Sequence, residues 1–124
     1  MSALALVLRD VAATFPLPLT TEPADFDDTT DCVWISADGG QSKAGFRVDT
    51  ALPAAERLAT IADQVQDWVI EALPLAGHKA AWPVCPRHRD THPLCAEAVE
   101  GAAVWACPVT RDVFAEVGAL PPTA

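Results

Sequence analysis

Two cysteines and two histidines fall in the pattern Cys85-x2-His88-x3-His92-x14-Cys107, and proline follows each cysteine as Pro86 and Pro108. Thiolate and imidazole are side chains that bind zinc, and short spacing within a ligand group lets one tight turn present two of them to a single ion. Cys85-Pro86-Arg87-His88 fits such a knuckle. Cys107-Pro108 fits the start of a second, but the position that would complete it is Thr110, which is not a ligand. Another residue must close the tetrahedron. His92 is the candidate: it lies four residues after His88, so about one helical turn brings both rings to the same side. Pro93 restricts the backbone at His92 and keeps that turn short. Cys95 is the rival fourth ligand. Cys32 is remote in sequence and falls in a strand-like run, where a thiol needs no special role. The expected metal set is Cys85, His88, His92 and Cys107, with structural zinc as the cofactor.

The same thiols have a competing use. The cysteines number four, at 32, 85, 95 and 107, and an even count admits a Cys85–Cys107 disulfide. Residues 2–8 carry no positive leader, however, and Arg9-Asp10 ends their apolar run early, which reads against a secretory signal. The expected location is therefore the cytoplasm, where clustered Cys and His more often mean metal than disulfide. No apolar run is long enough to span a bilayer.

Charge narrows the partners. The net charge is −9, and residues 1–77 hold 12 acidic against 4 basic side chains. Residues 78–111 are near neutral, with 3 acidic and 4 basic. The acidic part repels a phosphate backbone and the Cys/His segment lacks a basic cluster, so nucleic acid is not an expected partner. Residues 19–31 contain Glu22, Asp25, Asp27, Asp28 and Asp31. Their spacing does not fit an EF-hand loop, because Thr30 stands where the turn glycine belongs and no glutamate closes the loop. A solvated acidic connector is the expectation.

The elements that must carry the Cys/His set are legible in outline. Leu4, Val7, Leu8, Val11 and Phe15 repeat at helical spacing and predict a helix over residues 3–14, capped by Ser2 and ended by Pro16 and Pro18. Residues 32–37 and 43–48, separated by Asp38-Gly39-Gly40, predict a β-hairpin. Residues 53–73 predict an amphipathic helix with Leu58, Ile61, Val65, Trp68, Val69 and Ala72 on one face, Pro53 at its start and Pro74 and Gly77 at its end. That helix is expected to lie on the hairpin and bury Trp68. Beyond it, residues 96–99 and 102–106 pair around Glu100-Gly101, with a third strand near 113–117. The expected fold is α+β: a helix–hairpin–helix body over 1–77, followed by a zinc-ribbon-like unit and tail over 78–124.

The run Trp82-Pro83-x-Cys85-Pro86-x-His88-x3-His92-Pro93-Leu94, with Gly101 and Val104-Trp105-x-Cys107-Pro108 after it, resembles a group of small uncharacterised proteins from actinobacteria. The likeness covers the chain from about Val65 onward. It implies a cytoplasmic actinobacterial protein and marks Cys85, His88, His92 and Cys107 as the positions that matter. Cys32 and Cys95 lie outside the shared pattern.

Three functions compete on this reading. Four protein ligands leave no position for water, which makes the metal structural and the chain a protein-binding or adaptor module without catalysis. Trp82 and Trp105 are then either exposed docking residues or parts of a small core. If only Cys85, His88 and Cys107 bind, an open position permits a small zinc-dependent hydrolase, with Asp90 or Glu97 as proton carrier. The acidic body also permits a phage- or defence-related inhibitor that mimics nucleic acid.

Overall fold

The computed structural model describes residues 3–15, 19–23, 32–36, 43–47, 51–88 and 91–122. Helix α1 (Ala3–Thr14) buries Leu4, Val7, Asp10 and Val11, so the apolar stripe read from the sequence is the packed face. A carboxylate shares it. Ser2, Pro16 and Pro18, named as its boundaries, lie outside the described residues.

Strands β1 (Thr20–Pro23), β2 (Cys32–Ser36) and β3 (Ala44–Arg47) form an antiparallel sheet in the order β1-β2-β3. The expected hairpin is present as β2 and β3, with Val33 opposite Phe46. The third strand was not expected: residues 19–31 read as a connector, yet Thr20–Pro23 pairs with β2. Four residues are too few to show alternation. The β-branched Thr20 and Thr21 favour extended chain, and an edge position tolerates Pro23 because one side of an edge strand carries no ladder.

Helix α2 (Ala54–Leu75) follows, and the carbonyl of Pro53 accepts the N–H of Arg57 at 2.8 Å. The helix runs two residues past the expected end at 73. Pro74 lies within it, where the missing N–H affects only the last turn. The N–H groups of Gly77 and His78 then bond the carbonyls of Pro74 and Leu73, and Gly77 takes a left-handed φ of 83°. This closure satisfies carbonyls that the helix end leaves open.

Strands β4 (Cys95–Val99), β5 (Ala102–Ala106) and β6 (Val113–Glu116) make a second antiparallel sheet with β5 in the centre. Glu100 (φ 49°) and Gly101 (φ 81°) form the two-residue turn between β4 and β5. Two successive positive φ angles match the right-handed twist of the strands they join.

Helix α2 is the central element and packs against α1, β3, β4 and β5. Its buried surface is therefore wider than one stripe. Ile61, Val65 and Val69 are buried as expected, but so are Ala59, Ala62, Gln66 and Leu73. Trp68 is half-buried, with its ring 5.9 Å from Phe15 and 6.3 Å from Phe46. The fold is α+β, and most of its described buried apolar residues form one cluster that runs from Leu4 in α1 to Val117 beyond β6.

Trp82 and Trp105 belong to that cluster and meet edge to face at 5.4 Å. Neither is a docking residue. Their indole N–H groups are satisfied by one side of α1: Trp82 donates to Thr14 Oγ1 at 2.7 Å, and Trp105 donates to Asp10 Oδ2 at 2.8 Å. Asp10 also accepts the N–H of Gly118 at 2.6 Å and of Leu120 at 3.0 Å. One carboxylate thus ties the first helix to residues about a hundred positions away.

Candidate metal centre

Two turns carry the Cys/His set, and each is held by its own backbone bonds. The first lies between α2 and β4. Its two arms close on each other where Val84 bridges Pro93 and the N–H of Leu94 reaches the carbonyl of Pro83 at 2.8 Å. Between the arms, the N–H of His88 bonds the carbonyl of Cys85 at 3.2 Å, and that of Thr91 bonds the carbonyl of His88 at 3.0 Å. Buried Gln66 of α2 pins both arms from below, its Nε2 donating to the carbonyls of Trp82 (3.0 Å) and Leu94.

The second turn joins β5 to β6. Here the N–H of Arg111 bonds the carbonyl of Cys107 at 2.8 Å, with Arg111 at φ 65°, and Cys107 N–H bonds the carbonyl of Asp112 at 2.9 Å. Thr110, which the spacing disqualified as a ligand, has a different part. Its backbone N–H points at Cys107 Sγ from 3.4 Å and stabilises negative charge on that sulfur. An exposed ion pair between Arg87 and Asp112 at 3.2 Å spans the two turns; such pairs contribute little to stability but agree with the observed register of the turns.

The turns bring the ligand atoms of Cys85, His88, His92 and Cys107 within 4.8 Å of one another, close enough to bind a metal ion. His88 Nδ1 is 3.6 Å from the sulfurs of both Cys85 and Cys107, and His92 Nε2 is 3.9 Å from Cys107 Sγ. A tetrahedral ion with metal–sulfur bonds of about 2.3 Å and metal–nitrogen bonds of about 2.0 Å sets sulfur and nitrogen roughly 3.6 Å apart. The sulfur–nitrogen separations of 3.6, 3.6 and 3.9 Å stand near that spacing. Both cysteines are fully buried, and the two histidines are partly covered. Two thiolates and two neutral imidazoles balance a divalent charge, so the ion adds no net charge to the interior.

Local electrostatics prepare the donors. His92 Nδ1 lies 3.0 Å from the carbonyl of Pro93. A carbonyl only accepts, so Nδ1 carries the proton and the Nε2 lone pair faces the cluster. Outer hydrogen bonds of this kind fix tautomer and ring orientation at metal sites. For Cys107, burial works against ionisation, but hydrogen bonds from Thr110, Val109 and Cys85 outweigh it and bring the pKa down to about 6. Cys95 behaves in the opposite way. Burial first, and then the neighbouring Glu97 carboxylate, raise its pKa. Its thiol faces Glu97 Oε1 at 3.6 Å and stands outside the four-residue cluster.

Glu97, the candidate proton carrier of the hydrolase reading, is paired with Arg111 as well; Asp90 lies outside the described residues. The spacing argument did not single out Gln66, Asp10 or Thr14. A trace of each is present in the sequence: Gln66 falls in the stripe Ala62-Gln66-Val69-Leu73, and Asp10 and Thr14 continue the line of Ala3 and Val7. A polar residue inside an apolar stripe is either an interruption or a buried partner, and periodicity alone does not separate the two.

Among the described residues, no helix is long and apolar enough to cross a membrane. Searches with protein-family models, curated proteins and solved structures return no match to this chain.

Proposed function

We propose that the chain is a small cytoplasmic protein-binding module whose two turns are stapled by a structural zinc ion held by Cys85, His88, His92 and Cys107, in the manner of a zinc ribbon. The observation that carries this reading is the convergence of two buried sulfurs and two oriented imidazoles within 4.8 Å. Four protein donors complete a tetrahedron and leave no position for water, which is the pattern of structural rather than catalytic zinc. A reducing compartment keeps both thiols available as ligands. Support for a protein partner comes from the turns themselves. Val84 on the first and Val109 on the second are 49% and 68% exposed, so the staple holds apolar side chains out toward solvent.

Elemental analysis of protein purified without added metal tests the staple. The expected result is about one equivalent of zinc, with a chelator lowering the melting temperature markedly, because the binding free energy is part of the folding free energy. Cobalt substitution should give the intense visible bands of a tetrahedral thiolate site. Fully folded protein with less than about a tenth of an equivalent of any transition metal refutes the staple. The partner reading is tested by comparing a Val84→Asp/Val109→Asp bait with the parent bait: a specific partner is retained by the parent and lost by the variant.

A further inference from the structure

The two Cys/His turns are joined a second time, through α1. Trp82 stands three residues before Cys85, and Trp105 two residues before Cys107. Both indoles are buried, and each reaches the same helix: Trp82 Nε1 donates to Thr14 Oγ1 at 2.7 Å and Trp105 Nε1 to Asp10 Oδ2 at 2.8 Å. Asp10 and Thr14 lie about one turn apart on α1, and Thr14 Oγ1 in turn donates to the Asp10 carbonyl at 2.7 Å. The contacts Trp82–Thr14–Asp10–Trp105 therefore run from the arm that enters the first turn to the strand that enters the second. An ion held by Cys85, His88, His92 and Cys107 closes the same loop from the other side. The helix in this loop has little stability of its own. It is 12 residues long, with no acidic residue in its first turn and no basic residue in its last. Charged side chains at those ends would favour it, and a helix so short is marginal in water without packing. Elements that depend on docking open at lower free energy than the core they cover.

From this closed loop of contacts we infer that docking of α1 and occupancy of the metal site are coupled: the ion favours the docked helix, and displacing the helix weakens the hold on the ion. The inference rests on the metal-staple reading of the same four residues. With α1 docked, both indoles are fixed to one support, and the two cysteine-bearing turns are already placed for a single ion. With α1 displaced, both indoles lose their acceptors, and metal binding must also re-order the arms that carry the cysteines. A ligand shifts an equilibrium by its differential affinity for the two states, and the effect is reciprocal. Release of α1 uncovers Leu4, Val7 and Val11 together with the two indoles, all of them buried in the docked state.

The test follows amide hydrogen exchange of the reduced full chain with and without one equivalent of zinc, and measures zinc affinity by competition with a chromogenic chelator. Zinc is expected to slow exchange of the α1 amides about tenfold beyond any change in β2, which carries none of the four ligands. Thr14→Val keeps the size of the side chain but removes the acceptor of the Trp82 indole. It should weaken zinc binding at least about fivefold, the lower end of coupling between linked sites, and speed α1 exchange in the metal-free chain. Thr14→Ser restores the hydroxyl and should restore both. If Thr14 is merely structural, Thr14→Val weakens the fold equally with and without zinc and leaves zinc affinity at the parent value, and that result overturns the inference. Exchange of α1 that is indifferent to zinc, or slowed no more than that of β2, overturns it as well. Failure of the parent chain to take up zinc overturns the staple and the coupling together, whereas zinc uptake with an indifferent α1 removes the coupling alone.

Discussion

Replacing Asp10 separates the tertiary anchor of this fold from its local propensities. The carboxylate is buried on α1 and accepts three N–H groups, from the Trp105 indole, Gly118 and Leu120. Asp10→Ala leaves these donors without an acceptor. A buried donor stripped of its partner costs about 1–3 kcal/mol. The bonds to Trp105 and Gly118 are buried and count in full, whereas Leu120 is only partly buried and regains water. The expected loss is roughly 3–5 kcal/mol, a large share of the about 5–15 kcal/mol that holds a domain together. Asp10→Asn refines the argument. Its amide oxygen can occupy the Oδ2 position and keep the two buried bonds, while its NH2 meets Leu120 at the wetter edge. That variant should lose only about 1–2 kcal/mol. Urea unfolding at one fixed metal concentration, followed by tryptophan fluorescence, measures both through the shift in midpoint at constant slope. The reasoning fails if Asp10→Ala unfolds within about 0.5 kcal/mol of the parent, the range of ordinary surface changes. It fails equally if the asparagine variant is as damaged as the alanine one.

Gln66→Leu keeps the helix and its bulk but removes the donor that pins the carbonyls of Trp82 and Leu94; affinity for an added divalent metal ion should fall by about tenfold or more, the low end of what lost support around a metal's ligands costs, in a competition titration with a chromogenic chelator. In metal-stripped protein, the Cys107 thiol titrates near 6, below its ordinary value of 9.0. Between those values the unfolded chain binds a proton that the folded chain does not, so stability rises with pH across this window and is lost as pH falls through about 6. Melting temperatures of metal-free protein should show this rise, and Cys107→Ser should flatten it.

Much of the fold was legible because its signals are local. The Leu4-Val7-Val11 stripe, the Ile61-Val65-Val69 stripe and the Glu100-Gly101 turn each depend on residues within one or two turns of chain, and α1, α2 and the β4–β5 hairpin followed. β1 escaped because a four-residue edge strand takes its ladder from β2 rather than from its own pattern. The end of α2 escaped by two residues because a proline in a last turn removes a bond without reversing the chain direction.

The candidate site divides in the same way. Cys85, Pro86, His88 and His92 advertise themselves through spacing, and Cys107-Pro108 through its repeat of the Cys-Pro step. Side-chain type and short-range geometry, both written in the chain, determine which atoms are able to bind a metal. Whether they meet does not follow from spacing, because Cys107 arrives on a separate hairpin. Its approach depends on the β4–β5–β6 register, on Gln66 clamping the first turn and on Asp10 holding α1 against the far end of the second sheet. Those contacts join residues tens to a hundred positions apart. Only packing brings them together, since no local preference carries information over that distance.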